Sequence, residues 1–98
     1  MFKELDSLLH SQLRLAVMSL LIGVEEADFV YLKEETGATS GNLSVQIDKL
    51  SEAGYISVTK SFKGKIPCTT CRITQKGVVA FENYVKALQG YINSKARR

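Results

Sequence analysis

The stretch DFVYLKEETGATSGNLSVQIDKLSEAGYI, residues 28–56, decides the fold. Asp28 is placed to cap a short helix from Phe29 to Thr36, whose buried side carries Phe29 and Leu32. Gly37 supplies the positive φ that helix ends often need. After a tight turn, Thr39 or Ser40 caps a second helix running to Ala53. Two short helices joined by a Gly-bearing turn make the helix-turn-helix pattern. Leu43, Ile47 and Leu50 share one side of the second helix and face the core, so Gly41, Asn42, Val45, Gln46 and Lys49 face outward.

Downstream, Gly54 closes that helix and Tyr55-Ile56-Ser57-Val58-Thr59 alternates like a strand. Ser61-Phe62-Lys63-Gly64-Lys65 reads as a polar connection and Thr69–Ile73 as the return strand. Pro67 is expected to keep the first return residues out of a central ladder position. Thr74 can cap a last helix with Val78, Phe81, Val85, Leu88 and Ile92 on one stripe. Upstream, apolar residues from Leu5 to Leu21 recur at helical spacing, with a break expected at His10-Ser11 and an end at Gly23. Residues 24–27 read as a loop.

The expectation is one mainly α domain with a small β-hairpin wing, a winged helix-turn-helix. It divides into N-terminal helices (1–22), the helix-turn-helix (28–53), the wing (55–73), a dimerisation helix (74–92) and a basic tail (93–98).

Ninety-eight residues, 45% hydrophobic and 23% charged, suit a single globular core. The acidic opening residues suggest no secretory signal, and no apolar run is long enough to span a membrane. A soluble, cytoplasmic chain is expected. Net charge is +3, but its distribution is uneven. Residues 1–53 balance to −5, whereas 54–81 hold Lys60, Lys63, Lys65, Arg72 and Lys76 with no acid. Such a concentration of cations is what a phosphate-binding footprint looks like.

Leu43-Ser44-Val45-Gln46-Ile47-Asp48-Lys49-Leu50-Ser51-Glu52-Ala53-Gly54-Tyr55-Ile56 resembles the junction between recognition helix and wing in winged-helix bacterial regulators. More narrowly, the chain resembles compact single-domain regulators of the MarR/ArsR-like group. His10 and Arg14 match an "H-x-x-x-R" opening, Phe29 and Leu32 an "F-x-x-L", and Gly41-Asn42-Leu43-Ser44 a "G-N-L-S". Lys65-Ile66-Pro67-Cys68-Thr69 and Arg72-Ile73-Thr74-Gln75-Lys76-Gly77 match the wing and the start of the final helix. The resemblance covers about Leu5 to Ile92 and implies a cytoplasmic, dimeric DNA-binding repressor or activator. The chain departs from it at Val45, often basic in relatives, and at Gln46, often His.

For duplex DNA, Asn42 and Gln46 suit an adenine edge, Lys49 guanine or phosphate, and Val45 a thymine methyl. Thr39 and Ser40 sit at a helix N-terminus, where free N–H groups favour phosphate. Lys60, Lys63, Gly64 and Lys65 form the wing, with Arg72 on its return strand; Phe62 is read as packing under the hairpin. Phe2, Leu5 and Leu9, with Phe81, Tyr84, Val85, Leu88, Tyr91 and Ile92, are more apolar stripe than one small core can cover, which suggests a homodimer.

Cys68 and Cys71 form a CxxC, but one histidine and no second cysteine pair leave a zinc site short of ligands. On a strand, an offset of three sends the two thiols to opposite faces. No metal, cofactor or enzyme chemistry is expected, and no small-molecule effector is identified. His10 is expected to pack or hydrogen-bond near the helix break. Two alternatives stay open at this point: a winged-helix protein-interaction module without DNA binding, and a thiol-responsive repressor.

Overall fold

The computed structural model describes residues 2–96. The elements run α1 (Gln12–Ile22), β1 (Ala27–Asp28), α2 (Phe29–Thr36), α3 (Ser40–Glu52), β2 (Ile56–Lys63), β3 (Ile66–Ile73) and α4 (Gln75–Ala96). This is the winged helix-turn-helix expected. The local signals account for its central part. The Asp28 carboxylate accepts from the Tyr31 N–H at 2.8 Å, Gly37 ends α2 at φ 71°, and the Thr39 hydroxyl accepts from the Asn42 N–H at 3.2 Å.

Three elements differ from expectation. Residues 7–9 form a turn rather than a first helix, because the Asp6 carboxylate captures the Leu8 N–H at 2.9 Å, and the His10 N–H closes on the Asp6 carbonyl. Ala27-Asp28 are a strand, not loop, paired with Cys71 and Thr70, which gives a three-stranded antiparallel sheet in the order β1-β3-β2. The strands of the wing are longer than read, since Lys60 to Lys63 and Ile66 to Cys68 belong to them and only Gly64-Lys65 turn. Gly64, at φ 64°, takes the first central position, as a type II′ turn requires. Pro67 is tolerated inside β3. It pairs with Phe62 beyond the reach of β1, at a position where its missing N–H would point away from β2.

The core lies between α1, α2, α3 and the inner face of the sheet. Leu9, Val17, Met18, Leu21, Leu32, Leu43, Leu50 and Cys71 are fully buried there, and Ile47 and Ile56 nearly so. Two residues expected on a dimer face belong to this core instead. Leu9 is wholly enclosed, and Tyr84 is 4% exposed with its hydroxyl 2.9 Å from His10 Nδ1. Neither can meet a second copy, because each is already buried by its own chain.

The junction of α3, the wing and α4 is knitted by four residues. The Thr74 N–H donates to the Tyr55 carbonyl at 3.0 Å, and its hydroxyl donates to the Gly54 carbonyl at 2.6 Å while accepting from the Gly77 N–H. A Cβ on Gly77 would fall 2.1 Å from the Tyr55 carbonyl oxygen, so only glycine lets α4 start so close to the wing. The Lys76 ammonium lies 5.8 Å from the centre of the Tyr55 ring. The Tyr55 hydroxyl donates to Asp6 at 2.5 Å, and that bond, with burial, holds its pKa up at about 12.

Candidate nucleic-acid interface

Helix α3 buries Leu43, Ile47 and Leu50, and this fixes what it shows to solvent. Thr39, Ser40, Gly41, Asn42, Val45 and Lys49 are all exposed, and Gln46 is half-buried. Asn42, Val45, Gln46 and Lys49 recur at three- and four-residue spacing, so they form one face, about 120° round the helix from the buried Leu43, Ile47 and Leu50. Val45 keeps half of its surface in water, an apolar spot amid polar neighbours. The Thr39 side chain is occupied as the helix cap, which leaves the Ser40 and Gly41 end of the helix open.

Sequence reasoning missed one member of this site. Arg14, in the first turn of α1, donates from Nε to the Leu8 carbonyl at 2.6 Å and from Nη1 to the Gln46 side-chain oxygen. Gln46 Nε2 in turn donates to the Asn42 side-chain oxygen at 3.0 Å. The two amides expected to read bases independently are thus joined in a chain. The "H-x-x-x-R" spacing singled Arg14 out, but nothing local to it pointed at a residue 32 positions away.

The wing carries its cations differently. Lys60, Lys63 and Lys65 are exposed and, among the described residues, make no ion pair. Arg72 does: its guanidinium meets Glu26 at 2.7 Å, both side chains being about half exposed. It is therefore a weaker candidate than the lysines for holding phosphate, since Glu26 must yield first. Phe62 does not pack under the hairpin as expected. It stands 70% exposed near the tip, as does Ile66, because the strands there have run past the core.

The two cysteines part company as their spacing requires. Cys71 faces the core and Cys68 is half-buried on the other face of β3. Burial pushes the Cys71 thiol up to about 11, a poor state for a reactive thiolate. Among the described residues no three His, Cys, Asp or Glu side chains gather as a metal site would need, and no helix is long and apolar enough to cross a membrane.

Residues 13–92 match the family model described as a winged helix DNA-binding domain, and the chain belongs to that family. The family is one of DNA-binding domains, not of enzymes. An uncharacterised protein of Methanocaldococcus jannaschii is 43% identical over 77 residues, covering 78% of this chain and 83% of its own length. Among solved structures, a transcriptional regulator homologue from Pyrococcus horikoshii superposes with a TM-score of 0.84 at 25% identity, over 91% of this chain and 88% of that one. A zinc-responsive MarR family member from Lactococcus lactis shares the fold, with a TM-score of 0.63 at 13% identity over 97% of this chain and 61% of its own.

Proposed function

We propose that this chain is a transcription regulator that binds duplex DNA as a homodimer, with α3 in the major groove and the wing on phosphate or the minor groove. The exposed polar face of α3, set against a fully buried back, is the observation that carries the reading. It offers donors and acceptors at base-edge spacing from a helix that the core holds rigid. Exposed lysines in an acid-free hairpin provide the sequence-independent part of the affinity.

Pairing of two copies would use the N-terminal segment and the apolar stripe of α4. Phe2, Tyr91 and Ile92 are 52%, 40% and 62% exposed, while Leu5, Phe81, Val85 and Leu88 are only partly covered by their own chain. Phe2 stacks on Tyr91 with ring centres 4.6 Å apart, forming a ready-made aromatic edge. The molecule measures 59 × 25 × 20 Å, an elongated outline for so short a chain, as expected of a subunit whose last helix pairs with another.

The test is a salt titration of binding to operator-like and random duplexes, run beside sedimentation equilibrium. A steep loss of affinity with salt is expected, together with a dimer at tens of micromolar, on the order of working assay concentrations. A salt-independent or absent interaction with DNA would favour the protein-interaction alternative.

A further inference from the structure

We propose that Arg14 and Gln46 are not base readers but a positioning relay that fixes the side-chain amide of Asn42, leaving Asn42 as the one residue of α3 that selects adenine; the proposal rests on the DNA-binding reading above.

The argument turns on donor and acceptor inventories. Carboxamide oxygen and nitrogen are nearly the same size, so a free Asn or Gln can turn over and present either atom. Arginine has five donors and no acceptor, so whatever faces its N–H must be an oxygen. Arg14 is itself anchored by its Nε bond to the Leu8 carbonyl, in the turn that Asp6 closes. Its Nη1 therefore holds Gln46 with the oxygen inward. The amide nitrogen of Gln46 must then point away from Arg14, where it meets the Asn42 oxygen at 3.0 Å. That contact orients Asn42 in turn, with Nδ2 outward and one oxygen lone pair still free. An amide so placed donates to a purine N7 and accepts from the adenine N6 amino group. Gln46 has its oxygen committed to Arg14 and is half-buried, whereas Asn42 is exposed. Pre-orientation of this kind removes the entropy of choosing between the two amide orientations at the moment of binding.

Selection from a random duplex pool, followed by sequencing, tests the relay with Asn42→Ala, Gln46→Ala, Arg14→Met and Arg14→Lys. The wild type should select adenine at one position per half-site. Asn42→Ala should weaken that preference by about tenfold or more. Gln46→Ala and Arg14→Met should weaken it at the same position by roughly threefold. Arg14→Lys, which retains a donor, should recover part of the loss. A change at a second base position in Gln46→Ala would show that Gln46 reads its own base and would overturn the proposal. So would Arg14→Met variants that keep the full adenine preference. Independently of DNA, amide proton exchange of the Gln46 side chain, followed by NMR in the free protein, should quicken in Arg14→Met. Unchanged exchange there refutes the relay, even if no variant binds DNA. A wild type that binds no duplex, with exchange behaving as expected, overturns the DNA reading and this proposal's reader, while the relay contacts stand.

Discussion

The root and the tip of the wing are the same ladder, paired without interruption from Ile56↔Ile73 to Lys63↔Ile66, yet they live in different physical worlds. At the root, Ile56 and Cys71 are 2% and 0% exposed, and Val58 and Ile73 pack against the core. At the tip, Phe62 and Ile66 are each 70% exposed and the neighbours are lysines. Backbone hydrogen bonds continue outward after side-chain packing has stopped. Residues at the tip are therefore free of the duty to stabilise the fold, and their chemistry is available for a partner.

Gly77→Ala should break this contrast most forcefully, because it attacks the point that pins the root. With Tyr55's carbonyl oxygen 2.1 Å from the new Cβ, either α4 or the wing must move. The expected cost is about 3 kcal/mol, the upper end for overpacking, or roughly 10–20 °C in Tm for a domain of this size. A thermal melt by circular dichroism measures it, and a change of only a few degrees would mean that the root yields easily.

The two cysteines report on root and tip separately. A thiol titrating near 11 rather than 9 holds about a hundredfold less thiolate at neutral pH. With its thiol enclosed as well as hard to ionise, Cys71 should be alkylated much more slowly than the half-buried Cys68, read by mass spectrometry. The same shift has a consequence for stability. The folded state holds the Cys71 proton more tightly than the unfolded chain does, so its contribution is full below about pH 9 and is lost as pH rises toward 11. Equal labelling of both thiols in the native protein would dissolve the distinction between the two ends.

At the tip the effects should be on binding. Lys63→Ala and Lys65→Ala should each flatten the log–log salt slope of DNA binding by about one unit, weakening random and preferred duplexes alike. Their melting temperatures should match the wild type. The smallest effect is expected from Phe62→Ser, within about 0.5 kcal/mol of wild-type stability in urea unfolding, since so exposed a ring buries little in the free protein. A cost above 1 kcal/mol, well outside that range, would show that Phe62 packs after all.

What could be read from the sequence follows the range of the interactions involved. Asp28, Gly37 and Thr39 act on residues within a turn of themselves, so both helices of the helix-turn-helix were legible almost to the residue. Ala27-Asp28 carry no strand signal of their own and become one only by meeting Cys71 and Thr70, 44 and 42 positions on. Leu9 and Tyr84 looked like surplus apolar stripe because their burial depends on a fold that brings residues 10 and 84 together. At the candidate interface, the outward face of α3 was legible from helical periodicity. The tie from Arg14 to Gln46 was not, because it joins two helices across the core's edge. Phe62 is the reverse case: a large aromatic in a polar connection is expected to fold back under the hairpin, but here it belongs to a strand that outruns the core.

The absence of a side chain at position 77 also makes a mechanical linkage. With Thr74 as the single residue between β3 and α4, and its bonds to Gly54 and Tyr55, the last helix and the hairpin meet at the root as two arms of one bell crank. One arm is a 22-residue helix and the other a hairpin of two eight-residue strands, so a tilt imposed at the far end of α4 would be carried to the lysine-bearing tip instead of being absorbed in a flexible linker.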